Sequence, residues 1–117
     1  IKLEKIMAIK ANIVIDQGTD FEATIDLANV NGNPYDLQGH TVASQMRKNY
    51  ASASPSATFD TGHNDAAGQI TLSLSREHTN QLEPGRYLYD VEITSSGNTC
   101  TRVVEGTVTV TPGMTRI

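Results

Sequence analysis

The sequence predicts an all-β fold, namely an immunoglobulin-like antiparallel β-sandwich of about seven strands. Apolar and polar residues alternate over short segments, which is the pattern of half-buried strands. Turn residues separate these segments and leave no room for helical crossovers between parallel strands. The composition agrees, because the 117-residue chain has no Trp and only two Phe, and its apolar residues are mainly Val, Ile and Leu. This length fits one domain.

The predicted strands follow one another with turn chemistry between them. Their ranges are 9–15, 21–27, 41–48, 58–59, 69–75, 86–94 and 99–110. The turns are Gln17-Gly18-Thr19, Asn31-Gly32-Asn33-Pro34, Asp36-Leu37-Gln38-Gly39 and Ser95-Ser96-Gly97-Asn98. Their Gly residues supply positive φ, and a Pro cannot join a strand ladder. Residues 50–56 and 60–68 are predicted to be loops, because they are small, polar and without a period.

Two local features depart from plain strands. Residues 76–82 predict a helix of one or two turns, because Ser75 can cap its first amides and Pro84-Gly85 ends it. Gly106 interrupts the apolar alternation of the last strand. A glycine at such a position indicates either a β-bulge or a close approach by another part of the backbone.

A tyrosine corner sharpens the prediction of a sandwich. Leu82, Gly85 and Tyr87 resemble the crossover between sheets in immunoglobulin-like domains, where a Tyr hydroxyl near the start of a strand bonds back to the turn. Tyr87 is the better candidate for this bond and Tyr89 the alternate. The chain lacks the Cys…Trp…Cys pattern of true immunoglobulin domains.

Charge and composition exclude several classes of protein. The net charge is −4, and nine basic residues are spread thinly along the chain, so we expect no nucleic-acid partner. No apolar run approaches the roughly 20 residues of a membrane span, so we expect no membrane partner. Residues 1–8 are predicted to be an N-terminal arm or residues foreign to the natural protein, and residues 9–117 a single β-sandwich domain. Cys100 is alone, which suggests a reducing compartment, and we expect a buried, inert thiol.

No group of residues predicts catalysis, a metal or a cofactor. The segment from Asp60 to Asp65 contains His63 and Asn64, but it lacks the ligand density of a calcium loop and is explained by turn chemistry. His40 and His78 do not have the spacing of zinc ligands. No Ser lies at the sharp turn that a nucleophile requires. We therefore expect a protein that is not an enzyme.

The order of the segments resembles the small β-sandwich domains of tailed-bacteriophage virion proteins, including the N-terminal module of baseplate upper proteins. The resemblance covers about residues 13–115. It is carried by the segments 16–21, 31–41, 68–75, 85–91 and 104–110, with Thr79 and Leu82. The most specific part is Gly32-Asn33-Pro34-Tyr35-Asp36-Leu37-Gln38-Gly39, which leads into a strand.

The resemblance implies a non-enzymatic component of a phage tail, baseplate or neck. Such a component assembles in the host cytoplasm, resides in the virion and contacts other virion proteins or further copies of itself as a homo-oligomer. We expect Val14 and Val103 in this interface, because each points away from the core residues of its strand. Tyr35 and Tyr50, which flank loops, are two further candidates.

An alternative is a carbohydrate-binding or adhesin-like sandwich. In that case the loops around Tyr35, Tyr50 and His63 would form the contact surface. Both alternatives predict binding without chemistry, and they differ in the kind of partner.

Overall fold

The structure is a computed structural model that describes residues 9–28 and 32–114. Residues 1–8, predicted to be an arm or foreign residues, lie outside the described residues. The strands are β1 (Ile9–Lys10), β2 (Ile13–Asp16), β3 (Phe21–Asp26), β4 (Thr41–Arg47), β5 (Ala57–Thr58), β6 (Asp60–Asn64), β7 (Gln69–Leu74), β8 (Gly85–Thr94) and β9 (Cys100–Thr111). One short helix, α1 (Arg76–Asn80), precedes β8.

The strands form two sheets in an immunoglobulin-like order. The larger sheet has the order β1-β9-β8-β4-β5, with β2 also paired to β9, and the smaller sheet has the order β3-β7-β6. In immunoglobulin terms, β3, β7 and β6 take the places of strands B, E and D, and β4, β8 and β9 those of C, F and G. The predicted all-β sandwich is confirmed.

The N-terminal strands pair differently from the prediction. Both β1 and β2 run parallel to β9, with Ile13 beside Val108 and Ile15 beside Val110. The expectation of wholly antiparallel pairing is therefore wrong at this edge. The turn between β2 and β3 carries the chain from the larger sheet to the smaller one, so these two strands are not a hairpin, and β2 pairs with the last strand instead.

Gly106 lies where β1 and β2 are interrupted. A Cβ atom at this position would be 2.0 Å from the Ala11 carbonyl oxygen, so the predicted close approach is confirmed. The β-bulge lies elsewhere, because the register between β8 and β9 shifts between Val91 and Glu92 and leaves Val103 as the additional residue of β9. As a result, Val103 and Val104 are both fully buried.

Part of the predicted loop 60–68 is a strand. Residues Asp60–Asn64 form β6, which pairs antiparallel with β7. All five residues of β6 are exposed, so this edge strand has no buried face and therefore no apolar alternation for a sequence pattern to detect. The buried Phe59 separates β6 from β5.

The helix is shorter than predicted, and its first amide has a different partner. The Ser75 hydroxyl bonds Nδ1 of His78 at 2.8 Å rather than capping the helix. The Arg76 amide instead donates to Oδ1 of Asp20, 2.9 Å away. The helix is therefore capped by the turn that precedes β3.

The core lies between the sheets. Leu37, in the turn before β4, is fully buried and closes one end of the sandwich. The other buried apolar residues are Ile15, Leu27, Met46, Phe59, Ile70, Leu72, Leu74, Leu82, Tyr87, Tyr89, Val91, Ile93, Val103, Val104, Val108 and Val110. Cys100, expected to be buried, is exposed at the start of β9, with Sγ 3.4 Å from Oε2 of Glu92. Position 100 lies opposite Thr94, at the end of the ladder beside the hairpin turn.

Candidate functional site

The corner between the sheets is built around Tyr87. Its hydroxyl donates to the Glu83 carbonyl at 2.6 Å, and Nζ of Lys48 lies 4.5 Å from the centre of its ring. Burial raises the pKa of the Tyr87 hydroxyl, the Glu83 carboxylate adds to this effect, and the bond to the Glu83 carbonyl opposes it. Leu82 is buried, and Gly85 has a φ of +146°, which favours glycine. These residues form the corner between the sheets and stabilise the fold.

Replacing Tyr87 with Phe is expected to lower the free energy of unfolding by about 0.5–1.5 kcal/mol, since the hydrogen bond to Glu83 is lost. The matched control is Tyr35→Phe, because Tyr35 is only partly buried and its ring packs edge-on against His40 at 5.9 Å. That control is expected to be near neutral in urea denaturation. Equal losses at both positions would contradict the role assigned to the Tyr87 hydroxyl.

One side of the sandwich presents two edge strands, β2 and β3, which we call the open side. Among the described residues, β2 pairs only with β9 and β3 only with β7. An edge strand leaves every second backbone amide and carbonyl available to another chain. Neither strand contains a Pro or a bulge, two of the features that protect edges.

The open side is held in a fixed position by the helix. The buried Thr79 hydroxyl donates to the Thr19 carbonyl at 2.7 Å and accepts from the Gly18 amide at 3.1 Å. The side-chain Nε2 of Gln17 donates to the Leu82 carbonyl at 2.9 Å. These bonds fix the turn that joins β2 to β3, so the two edge strands are held in one arrangement.

The opposite side is covered by the chain itself. The segment β5–Phe59–β6 passes from the larger sheet to the smaller one, and the Thr61 hydroxyl donates to the Val42 carbonyl at 3.1 Å. Its two edge strands are the two-residue β5 and the entirely exposed, polar β6. Short and polar edges are poor templates for pairing. The open side is therefore the better candidate interface.

The two valines predicted for the interface have different positions. Val14 is 62% exposed on the outer face of β2, next to Thr109. Val103 is fully buried, so its assignment to the interface is wrong. The bulge at Val103 adds one residue to β9, and this changes which residues of the strand point inward.

A groove of about 660 Å³ lies on the outer face of the larger sheet. The central strand β8 forms its floor, and the side chains of the flanking strands form its walls. Three rows of paired residues cross it, namely Arg47–Leu88–Thr107, Gln45–Asp90–Glu105 and Ala43–Glu92–Arg102. Lys10 lies beside Glu105 on one wall, and Asn49 and Tyr50 extend the other.

Three of the charged groups in the groove, Asp90, Arg102 and Glu105, bind one another. Nε of Arg102 lies 3.2 Å from Oδ2 of Asp90, and its Nη1 lies 3.4 Å from Oε2 of Glu105. Partial burial raises the pKa of the Asp90 carboxyl, Glu92 and Glu105 add to this effect, and Arg102 opposes it. The guanidinium of Arg102 therefore keeps two neighbouring carboxylates in place.

A hydrogen bond of Tyr89 connects β8, the floor of the groove, to the segment between β1 and β2 at the edge of the sheet. Its hydroxyl donates to the Ala11 carbonyl at 2.7 Å, across 78 positions of sequence. Burial raises the pKa of this hydroxyl to about 12, so it remains protonated and a donor at neutral pH. The segment between β1 and β2 is thereby fixed against β9.

Of the three residues expected to form a carbohydrate contact surface, Tyr50 lies apart from Tyr35 and His63, which share one end of the sandwich, where the Leu37 amide donates to the Asp65 carbonyl at 3.4 Å. Tyr35 lies near the end of β3, since its amide donates to the Leu27 carbonyl at 3.0 Å. Tyr50 follows β4 at the opposite end of the sandwich, where Arg47 pairs with Leu88. His63 belongs to β6, and its Nδ1 contacts Oδ1 of Asp65. The single loop surface predicted for Tyr35, Tyr50 and His63 is therefore wrong, and only Tyr50 lines the groove.

The described residues contain no cluster of three or more His, Cys, Asp or Glu side chains placed to hold a metal. Within the same ranges, no helix is long and apolar enough to cross a membrane.

Comparisons with known proteins do not show a family. The sequence matches no protein-family profile and no curated protein. Among solved structures, the chain is similar to the internalin-like protein lmo2027 of Listeria monocytogenes, with 22% identity, 91% of this chain covered and a TM-score of 0.45. The chain spans 28% of that protein. It is also similar to CopC from Methylosinus trichosporium OB3b, with 13% identity, coverage of 94% of this chain and 91% of that chain, and a TM-score of 0.48. Similarities at this level carry no functional argument.

Proposed function

We propose that this chain is a non-enzymatic structural domain of a phage tail, baseplate or neck, which acts by contact with other virion proteins or with copies of itself. The observation that carries the proposal is the open side, where two strands joined by a fixed turn each have one edge that no other described strand pairs with. Residue Val14 adds apolar surface there, at 62% exposure. Pairing along such an edge gives affinity through the backbone and needs no catalytic group.

The assignment to a virion rests on the sequence resemblance. The structure supplies physical reasons for its most specific segment. Leu37 closes one end of the core, and Gly39 has a φ of +77°. Because a sandwich of this kind needs such a turn whatever its function, the segment supports the fold more strongly than the location. Assembly in the host cytoplasm and residence in the virion belong to the same proposal.

The test is the oligomeric state across protein concentration. Sedimentation velocity from micromolar to near-millimolar protein is expected to show a dimer or a closed ring. The Val14→Asp variant is expected to shift this equilibrium to monomer while its thermal unfolding midpoint stays close to that of the native chain, because Val14 makes no part of the core. The matched control is Ser54→Asp, an equal charge change at an exposed position after β4.

Two results would overturn the proposed function. One is a strictly monomeric chain that also fails to co-purify with virions. The other is an assembly that Val14→Asp and Ser54→Asp weaken equally, since this would place the contact away from the open side.

A further inference from the structure

The groove on the larger sheet is balanced in charge. Among its lining residues, three are basic (Lys10, Arg47, Arg102) and three are acidic (Asp90, Glu92, Glu105). A nucleic acid or another polyanion would meet the three carboxylates, and a basic peptide would meet the three cations. The charge pattern therefore favours a ligand without net charge.

The polar groups of the groove are planar and are already oriented. Oδ1 of Asn12 accepts from the amide and the hydroxyl of Thr107, at 3.2 and 3.1 Å. Oε1 of Gln45 accepts from Nη2 of Arg47 at 2.9 Å. Since the oxygen of each side-chain amide is engaged, its nitrogen is left to donate elsewhere. Ligand binding would therefore order few side chains, which lowers its entropic cost.

These groups suit hydroxyl ligands. The carboxylates of Asp90 and Glu92 accept hydrogen bonds, whereas the amide nitrogens of Asn12 and Gln45 donate them. A hydroxyl both donates and accepts, so a molecule with several neighbouring hydroxyls can bond to both kinds of group at once. In the row Gln45–Asp90–Glu105, a donating amide nitrogen lies beside two accepting carboxylates, at the strand spacing of about 4.8 Å.

An aromatic ring lies at one end of the groove. Tyr50 is 86% exposed, although an aromatic side chain carries a large apolar area that stable folds usually bury. It follows β4 at the end where Leu88 provides an apolar floor. A sugar ring presents C–H groups on its face and hydroxyls around its edge, so Tyr50 and Leu88 can contact the face while the polar rows bind the edge.

We propose that this groove binds a neutral oligosaccharide, with Tyr50 against one sugar ring and Gln45, Asp90 and Asn12 bonding to hydroxyls of successive rings along the chain of sugars. The volume of about 660 Å³ lies within the range of roughly 300–1,000 Å³ that is typical of ligand sites. The groove adjoins the open side at Asn12, which directly precedes β2, but the inference rests on the groove residues and not on the proposed assembly role. A domain with both would attach to a particle by one surface and to a glycan by the other.

The experiment is a titration of the ¹⁵N-labelled chain with neutral oligosaccharides, followed by NMR. The probes are maltohexaose, cellohexaose and N-acetylchitohexaose, each added to millimolar concentration. At least one is expected to shift the amide signals of Gln45, Leu88 and Asp90 in a saturable manner. The signals of β3 and β6 are expected to stay in place.

Substitutions in the groove distinguish binding at a specific site from weak, non-specific contact of the sugar with the protein surface. Tyr50→Ala and Gln45→Ala are each expected to weaken binding about tenfold, which corresponds to about 1.4 kcal/mol. The control Thr24→Ala, on the outer face of the smaller sheet, is expected to leave the dissociation constant unchanged. All three positions are partly or fully exposed, and unchanged thermal midpoints would show that the variants are folded.

Three outcomes would overturn the proposal. The first is the absence of groove shifts with every probe, and the second is binding that is equal in native and Tyr50→Ala chains. In the third, groove signals move with protein concentration in the absence of sugar, which would assign this face to contact between copies. The assembly role is tested at Val14, so either proposal can fail without the other.

Discussion

Gly106→Ala is expected to lower the free energy of unfolding by about 1–3 kcal/mol or more, as overpacked sites do. An added Cβ atom would lie 2.0 Å from the Ala11 carbonyl oxygen and 2.8 Å from its carbon. Both are backbone atoms, so the contact cannot be relieved by rotating a side chain. The segment between β1 and β2 would have to move away from β9. That movement would also strain the hydrogen bond from the Tyr89 hydroxyl to the Ala11 carbonyl.

The matched control is Gly62→Ala. No atom lies within 4 Å of the position that its Cβ would take, and its φ is not in the positive range. Because glycine weakens a strand by about 0.5–1 kcal/mol relative to alanine, this control is expected to be neutral or slightly stabilising. Urea denaturation at neutral pH measures both variants. Equal midpoints for Gly106→Ala and the native chain would show that the two backbones are not in contact.

Most of the sandwich could be predicted from the sequence because its strands are half buried. In β7, for example, Ile70, Leu72 and Leu74 are buried and alternate with partly buried polar residues. The same alternation identified β3, β4 and β8. It failed for β6, whose residues are all exposed. Burial creates the pattern, so an exposed edge strand has none.

The pairing of the strands was harder to predict than their existence. Alternation of apolar and polar residues shows which face of a strand is buried, but it does not show which other strand pairs with that strand. The parallel contact of β2 with β9 joins positions about 95 residues apart, such as Ile13 and Val108. No local signal indicates that partner, and a short turn between β2 and β3 would fit a hairpin equally well.

The candidate sites could be predicted only in part. The exposure of Val14 and Tyr50 follows from local patterns, and the structure agrees with both positions. The groove depends on the register of several strands, which places Gln45, Asp90 and Glu105 in one row. The apolar alternation of β8 predicts that Asp90 points outward. It does not predict that Asp90 contacts Arg102, because that contact depends on the register of β8 and β9 at the bulge.

Val103→Asp is expected to unfold most of the protein at neutral pH. Val103 is fully buried, and an unpaired charge in such a place costs several kcal/mol. The whole stability of a domain is about 5–15 kcal/mol, so this one change removes a large part of it. Val103→Ala is expected to cost less, since it removes about 0.8 kcal/mol for each lost methylene-sized group together with a small cavity term. Circular dichroism and thermal unfolding measure the loss.

A control substitution and the pH dependence test whether burial of the charge causes the loss of stability in Val103→Asp. Thr109→Asp changes an exposed residue of the same strand, and it is expected to leave the midpoint nearly unchanged. In Val103→Asp, burial raises the pKa of the new carboxyl in the folded chain above its unfolded value of about 3.9. The variant is therefore least destabilised, relative to the native chain, below that unfolded value, and its deficit grows as pH rises until the folded pKa is passed. If the two Asp variants were equally stable, Val103 would lie on the surface, as the unbulged alternation of β9 predicts.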